Sequence, residues 1–132
     1  MNVFVYCIVF LFTAFLRAEE SSTYIDLAKS ESQSVDLIDF GASANGKGIL
    51  HTVYIVNSSK TKPVENFKSL IWEEEFFVDN YCPRTIQPNS KCEIVLEFWT
   101  VNKGWHSGTF IINSSLFNKN IRLSAASVLR GR

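Results

Sequence analysis

From Cys92 to Phe98 the chain alternates: Cys92, Ile94, Leu96 and Phe98 share one parity, and Glu93, Val95 and Glu97 take the other. A period of two is that of a strand with one face against a core, so Cys92 is expected to point inward. Ile49 to Asn57 is a second strong strand, with Val53 and Ile55 on one face and Tyr54 and Val56 on the other. Apolar residues on both faces predict a position inside a sheet. Weaker alternation marks Val35, Leu37 and the Phe40–Gly41 pair, then Val64 to Trp72 with Phe67 between polar Asn66 and Lys68, and then Phe76 to Val78. Thr109 to Asn113, with Phe110 and Ile112, and Asn120 to Ser127, with Ile121, Leu123 and Ala125, complete the set. Seven short strands at this spacing predict an all-β sandwich. No stretch has ten or more residues of helical periodicity with caps, so helix is expected only as single turns.

The breaks between strands carry turn chemistry. Gly41 to Gly48 is rich in residues that accept a positive φ, and Asn57 to Pro63 turns the chain again. The glycine run is not a phosphate cradle, because it lacks the Gly-Lys-Ser/Thr ending and no helix follows. Pro83, Pro88, Asn89 and Ser90 close a turn between Cys82 and Cys92, so the two sulfurs are expected to meet across it as a disulfide. Zinc would need two cysteines two to four residues apart and two further ligands, and His51 and His106 stand alone. Ser21 to Ser34 is polar and aperiodic apart from Tyr24 to Leu27, and reads as an arm or as a weakly held edge strand.

Compartment follows from the other end of the hydropathy pattern. Val3 to Leu16 is almost wholly apolar, short for a span of about 20 residues, and gives way to Arg17, Ala18 and a polar run. This predicts a signal peptide over 1–18, a polar arm over 19–34 and one sandwich domain over 35–128; an uncleaved membrane anchor is the alternative. Cys7 leaves with the leader, and the remaining even pair suits an oxidising compartment, secreted or periplasmic. Losing Arg17 leaves twelve basic against thirteen acidic side chains, a balance that offers no basic stripe for nucleic acid.

On the residues Asp39–Gly41, Val53–Asn57, Ile86–Phe98 and Gly108–Ile112 the chain resembles the immunoglobulin-like domains of the abnormal-spindle and hydin type. These include exported choice-of-anchor D domains and are related to major sperm protein and pilus-chaperone sandwiches. The resemblance covers most of the chain after the leader. It departs from the family pattern at Thr100, where proline is usual, at Asn89, where glycine is usual, and at Ala125 and Ser127, where Gly-x-Gly is usual. It implies an antiparallel sandwich of about seven strands used for binding, spacing or assembly, with no cofactor and no catalytic residue.

Candidate chemistry is sparse. Glu73, Glu74, Glu75 and Asp79 form the densest acidic cluster, but successive residues on an extended segment alternate sides, and the reading is a solvated edge without metal. A triad on either histidine could only be assembled from distant residues that nothing in the sequence singles out, which leaves a small secreted hydrolase as a distant alternative. Asn57 and Asn113 each begin an Asn-Ser-Ser triplet, an N-glycosylation acceptor in a eukaryotic secretory pathway. Trp99 has the outward parity of Glu97, and Trp105 and His106 follow a short loop. Two readings stand: the tryptophans pack across the hairpin on each other or on the arm before Val35, or the three residues make a patch at one strand end that binds a protein or glycan partner. Assembly by strand pairing is the competing expectation, favoured by an open first or last strand.

Overall fold

The computed structural model describes residues 21–32, 35–116 and 118–128. The predicted leader and its cleavage site lie outside them. Among the described residues there are eight strands: β1 Ser21–Asp26, β2 Leu37–Ala44, β3 Ile49–Asn57, β4 Lys68–Ile71, β5 Phe76–Asn80, β6 Ser90–Phe98, β7 Gly104–Asn113 and β8 Asn118–Val128. A 3₁₀ segment, Leu27–Ser32, kinked at Lys29, follows β1. The strands form two sheets of four, ordered β1-β3-β6-β5 and β2-β8-β7-β4. The architecture is an all-β sandwich.

The alternation decides which face is buried. Val53 and Ile55 of β3, and Ile94, Leu96 and Phe98 of β6, point inward from the first sheet and are fully buried. Phe110 and Ile112 of β7, with Ile121, Leu123 and Ala125 of β8, meet them from the second. Burying each large side chain is worth about 1.5–3 kcal/mol, so these two central pairs hold the fold together. Phe40, Phe76 and Phe98 close one end, with ring centroids 5.5 Å apart for Phe40 and Phe76 and 5.1 Å for Phe76 and Phe98. Gly108 is required where the β4–β5 crossing runs underneath, because a Cβ there would lie 2.7 Å from Glu73 Cγ.

Three expectations change. An eighth strand is present, because Ser21–Asp26 pairs parallel with β3 from Ser21 opposite His51 to Asp26 opposite Val56. Of the two readings of this segment, edge strand is the one the structure adopts. The strand expected over Val64 to Trp72 is only Lys68–Ile71: Asn66 has φ 56°, and Val64 forms an isolated bridge with Ile86 instead. Finally, β7 starts at Gly104, five residues before the expected Thr109, and pairs with β8 over its whole length.

The departures from the resembling family's pattern have local reasons. Asn89 adopts φ 55°, the left-handed conformation that glycine usually supplies and that asparagine tolerates best among other residues. Thr100 is buried, and its hydroxyl accepts the Asn102 N–H at 3.0 Å. Ala125 and Ser127 are both buried, and the Ser127 hydroxyl lies 3.1 Å from Asn45 Oδ1 in the β2–β3 loop.

Candidate functional site

The staple forms as expected. Cys82 and Cys92 are disulfide-bonded with Cα atoms 5.1 Å apart, tying the segment after β5 to β6. Asn80 prepares the approach, its side chain accepting the Cys82 N–H at 2.8 Å.

The expected aromatic patch is not one surface. Trp99 is half engaged, since its indole N–H donates to the Gly46 carbonyl at 3.0 Å and pins the β2–β3 loop. His106 has the inward parity of Gly108 and Phe110, its ring centroid 5.5 Å from that of Phe98, and its Nε2 lies 2.9 Å from the Asn102 carbonyl. Trp105 faces the other way, 77% exposed on the outside of the second sheet. Successive strand residues take opposite faces, so Trp105 and His106 cannot share one.

The two glycosylation triplets also part. Asn57 is fully buried: its amide donates to the carbonyls of Lys62 at 2.9 Å and Ile86 at 3.0 Å, and its Oδ1 accepts from the Ser59 N–H. There is no room for a glycan on that nitrogen, so Asn57 is corrected from acceptor to structural tie. Asn113 is exposed at the end of β7. Among the described residues no three His, Cys, Asp or Glu side chains are grouped to hold a metal ion.

His51, which looked isolated, has partners at both ring nitrogens. Ser21 Oγ lies 2.7 Å from Nδ1 and Thr23 Oγ1 lies 2.7 Å from Nε2. Burial lowers its pKa below the ordinary histidine value, because the charged ring would lose its hydration. It shares the inward parity of Val53, Ile55 and Asn57, and that parity was the available signal for both buried polar residues.

The outer face of the second sheet gathers side chains that sequence reasoning left dispersed. One row runs across it: Leu37 on β2 is opposite Arg122 on β8, which is opposite Thr109 on β7; Trp72 directly follows β4, whose last residue Ile71 is opposite Phe110. The next row holds Asp39, Ser124 and Ser107, and the row after it Ala42, Ala126 and Trp105. A groove of about 470 Å³ is lined by Asp36, Leu37, Thr109, Asn120 and Arg122. Lys119 Nζ meets Asp36 Oδ1 at 3.4 Å, whereas the Arg122 guanidinium takes no partner among the described residues. The outer face of the first sheet is different. There Tyr24 stacks on Tyr54 at 4.7 Å with Lys91 Nζ 5.5 Å from the Tyr54 ring, while Phe77 on β5 stands exposed.

This two-sheet geometry was compared with known proteins. No family model matches the chain, and no curated protein matches it in sequence. Among solved structures, a PapD-like (ASH) domain of human CEP192 superposes with TM-score 0.56 at 12% identity, over 73% of this chain and 83% of that one. The chain has the PapD-like immunoglobulin sandwich fold. The same sandwich aligns with part of a family 123 glycoside hydrolase from Clostridium perfringens (TM-score 0.57, 9% identity, 79% of this chain) and of the secreted serine protease VesC from Vibrio cholerae (0.51, 14%, 76%). It spans only 25% of each enzyme chain. At these identities the likeness concerns the fold alone, and a fold of this kind hosts many unrelated functions.

Proposed function

We propose that this chain is an exported, non-catalytic PapD-like module that binds a protein or glycan partner at a surface, with Trp105 as its anchor. The observation that carries the reading is the exposure of Trp105, 77% open on a strand face with no side chain covering it. An indole in water is a standing apolar liability, and tryptophan is among the commonest anchors of binding interfaces. Export rests on the apolar run Val3 to Leu16 and on the Cys82–Cys92 bond, which suits an oxidising compartment. The non-catalytic reading rests on the whole-domain likeness to a PapD-like domain, against likeness to a quarter of two enzymes.

The test is capture of partners by the exported protein from its own extracellular or periplasmic fraction. Trp105→Ala is expected to weaken capture by about 2 kcal/mol or more with the melting temperature nearly unchanged. A large fall in melting temperature with unaltered affinity per folded molecule would refute the anchor.

A second reading, assembly by strand pairing, is favoured by β1. Among the described residues β1 ends its sheet order and has no neighbour on its outer side. The other three edges are guarded. β2 is broken by a register shift around Gly41 at φ 79°, β4 has four residues and begins with Lys68, and β5 carries Asp79 and runs into the disulfide. From Ser21 to Ile25, β1 has no charge, proline or bulge.

A further inference from the structure

We infer that the outer face of the β2-β8-β7-β4 sheet is a carbohydrate-binding platform, with Trp72 and Trp105 as stacking surfaces and Arg122 as the central hydrogen-bond donor. This rests on the binding reading above and names the ligand class. Trp72 and Trp105 are the two most exposed large apolar side chains among the described residues, at 74% and 77%. Trp72 directly follows Ile71, which is opposite Phe110, five residues along β7 from Trp105, so the two indoles come from different strands at different heights of the sheet.

What lies between them selects the ligand. The intervening positions carry Ser107, Thr109, Ser124 and Arg122, and the groove adds Asn120. None of these five side chains has a hydrogen-bond partner among the described residues, so donors and acceptors are left facing outward. A protein hot spot has the reverse layout, apolar at the centre with a polar rim. Here the rim is apolar and the centre polar. A short oligosaccharide matches that order: each ring offers an apolar C–H face to an indole, and its hydroxyls and ring oxygen bond to hydroxyl, amide and guanidinium groups. Arg122 adds planar, charge-assisted donors that an uncharged residue would not supply. The groove of about 470 Å³ at Arg122, which neither indole lines, is of the size of a small-ligand site.

The experiment is affinity electrophoresis of the exported protein through gels containing soluble β-glucan, xylan, mannan or pectin, with pull-down on insoluble chitin and cellulose. At least one polysaccharide should retain the protein. Trp72→Ala and Trp105→Ala should each weaken retention about tenfold or more, and Arg122→Ala by a similar factor, with melting temperatures unchanged. Phe77→Ala, an exposed aromatic on the opposite sheet, should leave retention intact. Retention that survives Trp72→Ala, or no retention by any polysaccharide, overturns the inference. If no polysaccharide binds but Trp105→Ala abolishes capture of a protein partner, the platform is not for carbohydrate and the binding reading stands. If Trp105→Ala changes neither, both fall.

Discussion

The two edges of the β1-β3-β6-β5 sheet are held by different chemistry. At one edge β5 runs antiparallel to β6 and is locked to it by the Cys82–Cys92 bond. At the other, β1 runs parallel to β3 and is held without a covalent link, through buried Ile25, the Tyr24–Tyr54 stack and the two hydroxyls on His51. A cross-link limits how far β5 can stray even when the chain unfolds, whereas every contact of β1 is lost together when the strand leaves. The lesson is that the two edges of one sheet can be held by a covalent tie and by packing alone. Among the described residues, only the second has a run, Ser21 to Ile25, with no charge, proline or bulge to turn away another strand.

The sharpest way to break the comparison is through the core side of β1. Ile25→Ala should cost about 2–5 kcal/mol, because the side chain is fully buried between the sheets. Denaturant unfolding measures this, and hydrogen exchange should show β1 opening ahead of β3. A loss under about 1 kcal/mol would mean that β1 is barely part of the folded unit. Reduction of the Cys82–Cys92 bond should cost about 2–3 kcal/mol, the value for closing a loop of this length. Thiol titration of the protein purified without reductant should find no free thiol at these two positions, and on reduction exchange should rise at β5 and leave β1 unchanged.

Acid should loosen β1 specifically. The folded pKa of His51 lies below the unfolded value, so the unfolded chain takes up the proton first. The stability contributed by the neutral ring is therefore complete above the unfolded pKa of about 6.5 and is lost as pH falls from there through the folded pKa. Melting temperature followed from pH 8 downward should decline below about 6.5, and His51→Gln should flatten that part of the decline. The smallest expected effect on stability is that of Tyr24→Lys, under about 1 kcal/mol for an exposed stacked pair. If β1 pairs with another strand, the same substitution should abolish the association seen by sedimentation, since a lysine on the edge repels an incoming strand.

The alternation from Ile49 to Asn57 and from Cys92 to Phe98 already determines two inward faces, and with them the sandwich, because a side-chain period of two admits no other burial. The disulfide was legible too, since turn residues between two cysteines bring their Cα atoms close whatever the rest of the fold does. The buried polar residues were half legible: His51 and Asn57 carry the inward parity, but their partners Ser21, Thr23, Lys62 and Ile86 come from elsewhere in the chain. Tertiary structure alone decided the rest. Trp105 and His106 are adjacent in sequence and were expected to act together, yet the onset of β7 at Gly104 sends them to opposite faces. Leu37 and Arg122 are eighty-five residues apart and stand opposite each other in one row, because sheet order sets neighbours on a face and the local pattern of each strand contains no record of that order.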